Sequence, residues 1–168
     1  MLTVSCRDAS RSGGYHIHGF VADPNLNGAQ VFLVPLQNAV KSTIDSVVIR
    51  DQRFEFKGDT VRMADIRIER LRRIGTQNLL VVTEPGDIHV TIGRVSTGGG
   101  TPQNDSLQMW KEWLEADRAE CAVLRQNGET ARADSVHRAF RIRTVRLTEN
   151  LSSGPLYDFL RQYYPAPR

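Results

Sequence analysis

Short runs of alternating apolar and polar residues, separated by turn-forming residues, are the feature that most constrains the fold of this chain. The first run, 15–21, has the two-residue period of a half-buried strand, and turn chemistry follows at 23–28. Similar runs recur at 29–36, 43–50, 53–57, 64–71, 79–82 and 88–92. Short strands with turn signals about every ten residues predict an antiparallel sandwich or barrel.

Three details within this region make more specific predictions. The dipeptide Asp51-Gln52 lies between two strand-like runs and predicts a tight hairpin. In the run Phe54-Glu55-Phe56, strand alternation places both rings on one face and the glutamate on the other. The uninterrupted apolar run 79–82 favours a strand that is covered on both faces.

The character of the sequence changes at residues 98–102, Gly-Gly-Gly-Thr-Pro. Glycine and proline interrupt strand pairing, so we expect a linker from the sheets to a helix. A phosphate-binding loop is disfavoured because no Gly-Lys-Ser/Thr follows. Asn104 or Asp105 is a candidate helix cap, and Gln108 is placed to close a capping box from Asp105.

Two amphipathic helices and a short third helix are predicted after this linker. The first helix, 104–126, and the second, 129–149, carry opposite net charges, which favours antiparallel pairing. A third helix is expected over 156–164. The first stripe comprises Leu107, Trp110, Leu114, Cys121 and Leu124, and the second comprises Ala133, Val136, Phe140, Thr144, Leu147 and Leu151.

These patterns predict an α+β fold: an antiparallel β-sandwich of about seven strands, followed by a helical hairpin and a short C-terminal helix. The expected organisation is a flexible tail over 1–14, the sandwich over 15–97 and a helical region packed on it over 98–168. A chain of 168 residues is long enough to bury such a core without metal or disulfide support.

The charge distribution does not favour nucleic-acid binding. The formal net charge is +3, but residues 1–100 carry 12 cations and 10 anions, and residues 101–168 carry 10 and 9. A nucleic-acid interface would concentrate its cations on one face. We therefore expect solvated charged surfaces and no nucleic-acid partner. The sequence also lacks a run of 18 apolar residues that would indicate a membrane-spanning helix.

The two cysteines and two of the histidines are the first candidates for chemistry. Cys6 and Cys121 lie far apart and form no Cys-x-x-Cys pair, and Cys121 falls on a helical apolar stripe, so a buried, inert thiol is expected. His16 and His18 share one strand face and could hold a metal. No third ligand is assigned, because His89 would have to come from another strand; we expect no metal site and no cofactor.

Two further groups are expected to be structural. Ser135, His137 and Asp134 contain the residue types of a hydrolytic triad, but they lie within a helix and lack a nucleophile elbow. Trp110 and Trp113 could belong to a ligand surface, but their spacing favours core packing. We therefore expect no catalytic residues and no enzyme activity.

Six short segments, in order, resemble a known family. They are Ile17-His18-Gly19, Val31-Phe32-Leu33, Asp45-Ser46-Val47-Val48, Phe54-Glu55-Phe56-Lys57-Gly58, Glu84-Pro85-Gly86-Asp87 and Gly100-Thr101-Pro102-Gln103-Asn104. Together they look like a domain of unknown function from envelope proteins of gut-type Gram-negative bacteria, commonly N-terminal to a thioredoxin-like, peroxiredoxin-type domain. Gln52 stands where that family usually has a glycine. The chain stops where the thioredoxin-like domain would begin, so its thiol chemistry is not carried over.

The N-terminus resembles the end of a bacterial lipoprotein signal. A short apolar lead and Ser5 precede Cys6, although Thr3 replaces the usual aliphatic residue and a full signal is missing. Either the signal has been trimmed and Cys6 is the lipid attachment site, or Cys6 is an ordinary thiol in a tail. With the family resemblance, the first reading predicts a periplasmic or outer-membrane-anchored lipoprotein, whose only membrane contact is the lipid.

Two functions follow as hypotheses. The first is a non-catalytic envelope module that binds or positions a partner protein, related to the N-terminal modules of thiol-disulfide oxidoreductases. The alternative is a small-ligand binding domain with a pocket between the sandwich and the helices. An exposed apolar patch would favour the first, and a concave pocket with convergent polar groups would favour the second.

Overall fold

Two open four-stranded sheets form the first part of the fold. The computed structural model describes residues 13–68 and 78–166. Within them the strands are β1 (Tyr15–Val21), β2 (Gln30–Pro35), β3 (Asp45–Val48), β4 (Arg53–Gly58), β5 (Met63–Ile68), β6 (Leu79–Val82), β7 (Gly86–Ile92) and β8 (Thr97–Gly99). The helices are α1 (Pro102–Gln126), α2 (Thr130–Asn150) and α3 (Pro155–Tyr163). The predicted α+β class and the order of its parts are confirmed.

The strand order is β4-β1-β7-β8 in the first sheet and β3-β2-β5-β6 in the second. Neighbouring strands are antiparallel, except that β1 and β7 run parallel. The predicted antiparallel pairing therefore holds for five of the six strand pairs and fails only for β1 with β7. The physical reason is that β1 and β7 are distant in sequence, and no hairpin between them imposes an antiparallel direction.

Alternate residues of both sheets fill the core between them. Ile17 of β1 and Ile88 of β7 are fully buried, as are Leu33 of β2 and Val81 of β6. The rings of Phe54 and Phe56 share this core, as predicted. Because inward positions alternate with outward ones, the polar residues of the first sheet are left on its outer face.

A tight turn is present at Asp51-Gln52, but the predicted hairpin is wrong beyond one bridge, because the flanking strands β3 and β4 belong to different sheets. Arg50 and Arg53 exchange backbone hydrogen bonds of 3.0 and 2.9 Å, and both turn residues have positive φ, 50° and 60°. Beyond this single bridge, β3 pairs with β2 and β4 pairs with β1. The turn therefore passes the chain from the second sheet to the first.

The glycine run, expected to be a linker, contributes an eighth strand. Thr97–Gly99 pairs antiparallel with β7 at the edge of the first sheet. A β-carbon at Gly99 would lie 2.7 Å from Oδ1 of Asp105, so the absence of a side chain lets α1 pack against this edge. Gly100, with a φ of 99°, then turns the chain into the helix.

The helix cap predicted at Asn104 or Asp105 is wrong. The helix begins at Pro102, which has no N–H to satisfy, and Thr101 is the capping position without a side-chain bond. Gln108 and Asp105 instead accept from the N–H groups of Gly98 and Gly100, and they form no capping box. The free N–H groups of the first turn are instead satisfied by Glu84, a residue that only the tertiary fold brings near.

α1 and α2 form the predicted antiparallel hairpin. Sγ of Cys121 donates to the carbonyl of Ala133 at 3.3 Å, and Nε1 of Trp110 donates to Oγ1 of Thr144 at 3.2 Å. Cys121, near the end of α1, contacts the start of α2, whereas Trp110, near the start of α1, contacts the later part of α2. The two helices therefore run antiparallel. Both predicted apolar stripes face the interior at this interface.

The helices cover part of the outer face of the second sheet. Met63 of β5 and Val82 of β6 pack with Trp110 of α1 and Leu160 of α3 in a second apolar core. Residues 79–82 are therefore covered on both faces, as predicted, because Leu79 and Val81 lie in the core between the sheets. None of the helices in the described part of the chain is long and apolar enough to cross a membrane.

Candidate functional site

The outer face of the first sheet carries an ordered array of polar side chains. On β1 the alternate residues His16, His18 and Phe20 face outward, between β4 and β7. The backbone register sets three rows across β4, β1 and β7: Lys57-His16-Asp87, Glu55-His18-His89 and Arg53-Phe20-Thr91. Seven of these nine residues are ionisable.

Diagonal hydrogen bonds connect the histidines of β1 to carboxylates on both neighbouring strands. Nε2 of His16 lies 3.1 Å from Oε2 of Glu55 on β4, and Nε2 of His18 lies 2.9 Å from Oδ1 of Asp87 on β7. The hydrogen bond from His16 lowers the pKa of Glu55, and the hydrogen bond from His18 lowers the pKa of Asp87. Both carboxylates are therefore held as acceptors.

The three imidazoles lie against one another. The ring centroids of His16 and His18 are 3.7 Å apart with a tilt of 42°, and His89 stacks on His18 at 5.1 Å. The side chains of His16 and His18 are only 26% and 34% exposed, whereas Asp87 is 70% exposed. We call His16, His18, His89, Glu55 and Asp87 the histidine cluster.

Beside the cluster lies a cleft of about 700 Å³ between the first sheet and α1. Its floor is formed by β1, β4, β7 and β8, and includes His18, His89 and Thr97. Its wall is the first half of α1, which contributes Asp105 and Gln108. We call this space between the first sheet and α1 the sheet–helix cleft.

Side chains of α1 hold this wall against the edge of the sheet. The N–H of Gly98 donates to Oε1 of Gln108 at 3.1 Å, and the N–H of Gly100 donates to Oδ1 of Asp105 at 2.8 Å. An edge strand otherwise presents such donors to solvent or to another chain. The helix therefore closes the edge and fixes the width of the cleft.

The lining of the cleft is mixed in charge. Glu55, Asp105 and Glu112 contribute carboxylates, and Arg53 contributes a guanidinium. Phe20 and Met109 add half-exposed apolar surface. Together with the imidazoles of His18 and His89, these groups offer both donors and acceptors to a bound molecule.

The expectation of a buried Cys121 is confirmed. The residue is 3% exposed, and burial, with the carboxylate of Asp117 beside it, raises the pKa of its thiol. Oδ1 of Asp117 accepts from the thiol at 3.6 Å, and Oδ2 of the same carboxylate lies 3.0 Å from Nδ1 of His137. Because Asp117 stands between the thiol and the imidazole, this trio lacks the thiol–base contact that nucleophilic catalysis requires.

The residues of the hypothetical hydrolytic triad make separate contacts. The hydroxyl of Ser135 donates to the carbonyl of Ala131, and Oδ1 of Asp134 lies 3.8 Å from Nη2 of Arg125. His137 pairs with Asp117, as described above. Three residue types that lie close in sequence are thus directed to three different partners.

The two tryptophans have different roles. Trp110 is 4% exposed and packs edge-on against Phe159 and Tyr164, so its predicted place in the core is confirmed. Trp113 is half-buried, and the guanidinium of Arg143 lies 3.6 Å above its ring. Neither ring is among the residues that line the sheet–helix cleft.

Sequence reasoning placed His16 and His18 on one face but missed their partners. Glu55 was correctly expected to face away from the phenylalanines, yet its contact with His16 depends on how β4 and β1 are aligned. The sequence singled out Asp87 only as part of the family-like segment 84–87, although it begins the outward row of β7. The proposed lipid attachment site, Cys6, lies outside the described residues.

Comparisons with known proteins identify a family but no characterised relative. No curated protein and no solved structure matches the chain significantly. One family model matches residues 15–107, more than half of the 168 residues, and spans both sheets, the whole histidine cluster and the start of α1. The chain therefore belongs to the family described as a domain of unknown function, DUF4369.

Proposed function

We propose that this chain is a non-catalytic module of the cell envelope that binds a small polar ligand in the sheet–helix cleft. The observation that carries the proposal is the convergence of imidazoles from β1 and β7 and carboxylates from α1 on one concavity of about 700 Å³. Concave sites with a few convergent polar groups are the usual form of small-ligand sites.

The charges of the cleft define the kind of ligand. Its three carboxylates outnumber its single arginine, so with neutral imidazoles the lining carries a negative charge. A ligand with amine or hydroxyl donors complements these acceptors. Arg53, which lies on β4 opposite Phe20, provides a partner for one anionic group on the same molecule.

The non-catalytic part of the proposal is supported by the thiol and triad candidates. Cys121 is buried, its pKa is raised, and it contacts a carboxylate and a carbonyl. A reactive thiol requires the opposite environment, exposed and electropositive. The hydroxyl of Ser135 donates to a carbonyl of its own helix, and neither Ser135 nor Cys121 lines the cleft. These two residues therefore do not supply a nucleophile there.

Docking of a partner protein is the competing proposal. It would be favoured by one contiguous apolar face. The large apolar side chains that are exposed in the described residues are instead distributed over several elements, among them Phe20 on β1, Val48 on β3, Val123 on α1 and Ile142 on α2. The polar cleft is therefore the better supported of the two surfaces.

The envelope location rests on the family resemblance and on the sequence around Cys6. As part of this proposal, a lipid on Cys6 tethers the module, and a thioredoxin-like domain is its expected neighbour. Expressed with a complete leader, the protein should partition with membranes, and Cys6→Ser should abolish that partition. Membrane-free protein with an unmodified Cys6 thiol would contradict the anchor.

The cleft is tested by filling it. Thr97 lies on the cleft floor, whereas Thr60 lies in an exposed connection away from it. We expect at least one member of a panel of amino acids, sugars and nucleotides to raise the melting temperature of the wild type and of Thr60→Trp. Thr97→Trp should lose that shift. A shift that survives in Thr97→Trp, or no shift with any compound, would overturn the proposed ligand site.

A further inference from the structure

We infer that the histidine cluster is a binding site for a divalent transition-metal ion, with His16, His18 and Asp87 as its ligands. This inference goes beyond the proposed ligand cleft, because a metal ion would bind to the cluster with no organic molecule present. It also replaces the expectation of no metal site, which rested on the lack of a third ligand. Asp87 supplies that ligand through the register of β1 with β7.

The distances between the donor atoms suit one ion. One ligand atom from each of His16, His18 and Asp87 lies within 4.8 Å of the others. Oδ1 of Asp87 is 2.9 Å from Nε2 of His18 and 3.8 Å from Nδ1 of His16. In a tetrahedral zinc site with bonds of about 2.0–2.1 Å, neighbouring ligand atoms are about 3.4 Å apart. Small side-chain rotations, with release of the proton that Nε2 of His18 shares with Asp87, therefore complete the site.

Glu55 orients one of the ligands. Its carboxylate accepts a hydrogen bond from Nε2 of His16, which places the proton on that nitrogen. Nδ1 of the same ring then carries a lone pair, and it faces Oδ1 of Asp87. Two electron-rich atoms directed at one another are stabilised by a cation between them. Carboxylate–histidine–metal arrangements of this kind are a regular feature of metal sites.

The ligand set defines the class of metal. Two imidazole nitrogens and one carboxylate oxygen suit Zn²⁺ and also Co²⁺, Ni²⁺ and Cu²⁺, whereas Ca²⁺ and Mg²⁺ prefer sets made of oxygen alone. The side chains of the two histidines are about one-third exposed or less, and Asp87 is largely exposed. A bound ion would therefore keep a solvent-facing coordination position.

Protons compete with the metal at this site. The histidines of β1 are faced by Glu55 and Lys57 from β4 and by Asp87 and His89 from β7. An imidazole must be neutral to coordinate, and a carboxylate must be ionised. Metal affinity should therefore fall as acid protonates the ligands.

The experiment is a calorimetric titration of tag-free protein with Zn²⁺ alone, repeated with Co²⁺ and followed by visible absorption. We expect one ion per chain, and His16→Gln and His18→Gln should each weaken binding at least tenfold. Glu55→Gln should weaken it by about ten- to a hundredfold, as expected for a residue that orients a ligand. His137→Gln, which changes a histidine outside the cluster, is the matched control and should bind as the wild type does.

Three results would overturn the site: no binding above the protein-free titration, binding unchanged in both His16→Gln and His18→Gln, or equal loss in His137→Gln. Circular dichroism confirms that each variant is folded, which is expected because the substituted side chains lie outside the core. The test is independent of the cleft, since Thr97→Trp leaves the metal ligands in place. Failure of either proposal can therefore be recognised separately.

Discussion

Oε1 of Glu84 accepts a hydrogen bond from the backbone N–H of Asn104 at 3.1 Å, which joins the β6–β7 connection to the first turn of α1. The same oxygen accepts from the N–H of Gln103 at 2.7 Å. The side chain of Asn104 returns to β6, where it accepts from the N–H of Val82 and donates to its carbonyl. A buried carboxylate thus satisfies the N-terminus of the helix, and the helix satisfies the free edge of β6.

Glu84→Ala should destabilise the fold by about 1–3 kcal/mol, because it leaves one buried and one part-buried N–H donor without a partner. Glu84→Gln retains a carbonyl acceptor for the two backbone N–H groups but loses the charge and the hydrogen bond that Oε2 accepts from Nε2 of Gln103, so its cost should be smaller than that of Glu84→Ala. Urea unfolding of both variants measures the difference. Equal stabilities for the wild type and Glu84→Ala would contradict this account of the helix start.

Trp110→Ala should cost about 3–5 kcal/mol, because the ring is 4% exposed within the second apolar core. Trp110→Phe should cost less, since it retains most of the apolar contact but leaves the buried hydroxyl of Thr144 without its donor. Trp113→Ala is the control for loss of a half-buried indole and should cost less than Trp110→Ala. Thermal or chemical unfolding gives all three values, and a loss below about 1 kcal/mol at Trp110 would contradict its core position.

Cys121 should be chemically inert in the native protein, because burial raises the pKa of its thiol and its sulfur lies 3.3 Å from the carbonyl of Ala133. In an insulin-reduction assay we expect no turnover. With a thiol reagent, Cys121 should react only after denaturant is added, and Cys6→Ser isolates that signal. Turnover that disappears in Cys121→Ala would show a redox role that the buried thiol should not have.

Stability should depend on pH through Lys111. Burial lowers the pKa of this lysine from about 10.5 to about 8, while Glu112 and Glu115 oppose the shift. Between about pH 8 and 10.5 the unfolded chain binds more protons at this site than the folded chain does. The free energy of unfolding contributed by Lys111 therefore rises with pH across this window.

Lys111→Met should remove that rise. Urea unfolding at about pH 7.5 and pH 9.5 measures it, and the difference between the wild type and the variant isolates Lys111 from other groups that titrate at high pH. Among these are Tyr15 and Tyr164, whose pKa values are raised chiefly by burial. Lys41→Met, at an exposed lysine, is the matched control. An unchanged pH slope in Lys111→Met would contradict the shifted pKa.

The sequence by itself determined most of the local structure. The two-residue period predicted the strands, the inward rings of Phe54 and Phe56 and the outward Glu55, because alternation follows from strand geometry alone. The helical period likewise placed Trp110 and Cys121 in the interior. The turn at Asp51-Gln52 was recognised because its two residues separate two strand patterns.

Only the tertiary structure decided the candidate sites. The parallel pairing of β1 with β7 places Asp87 and His89 beside the histidines of β1, and no local pattern encodes the register of strands that are so distant in sequence. At the strand β8, Gln108 and Asp105 of α1 accept hydrogen bonds from the N–H groups of Gly98 and Gly100. Because these partners come from the helix, the glycines alone indicated only a linker. Periodicity reports which way a side chain faces, whereas contacts between distant segments determine what it meets there.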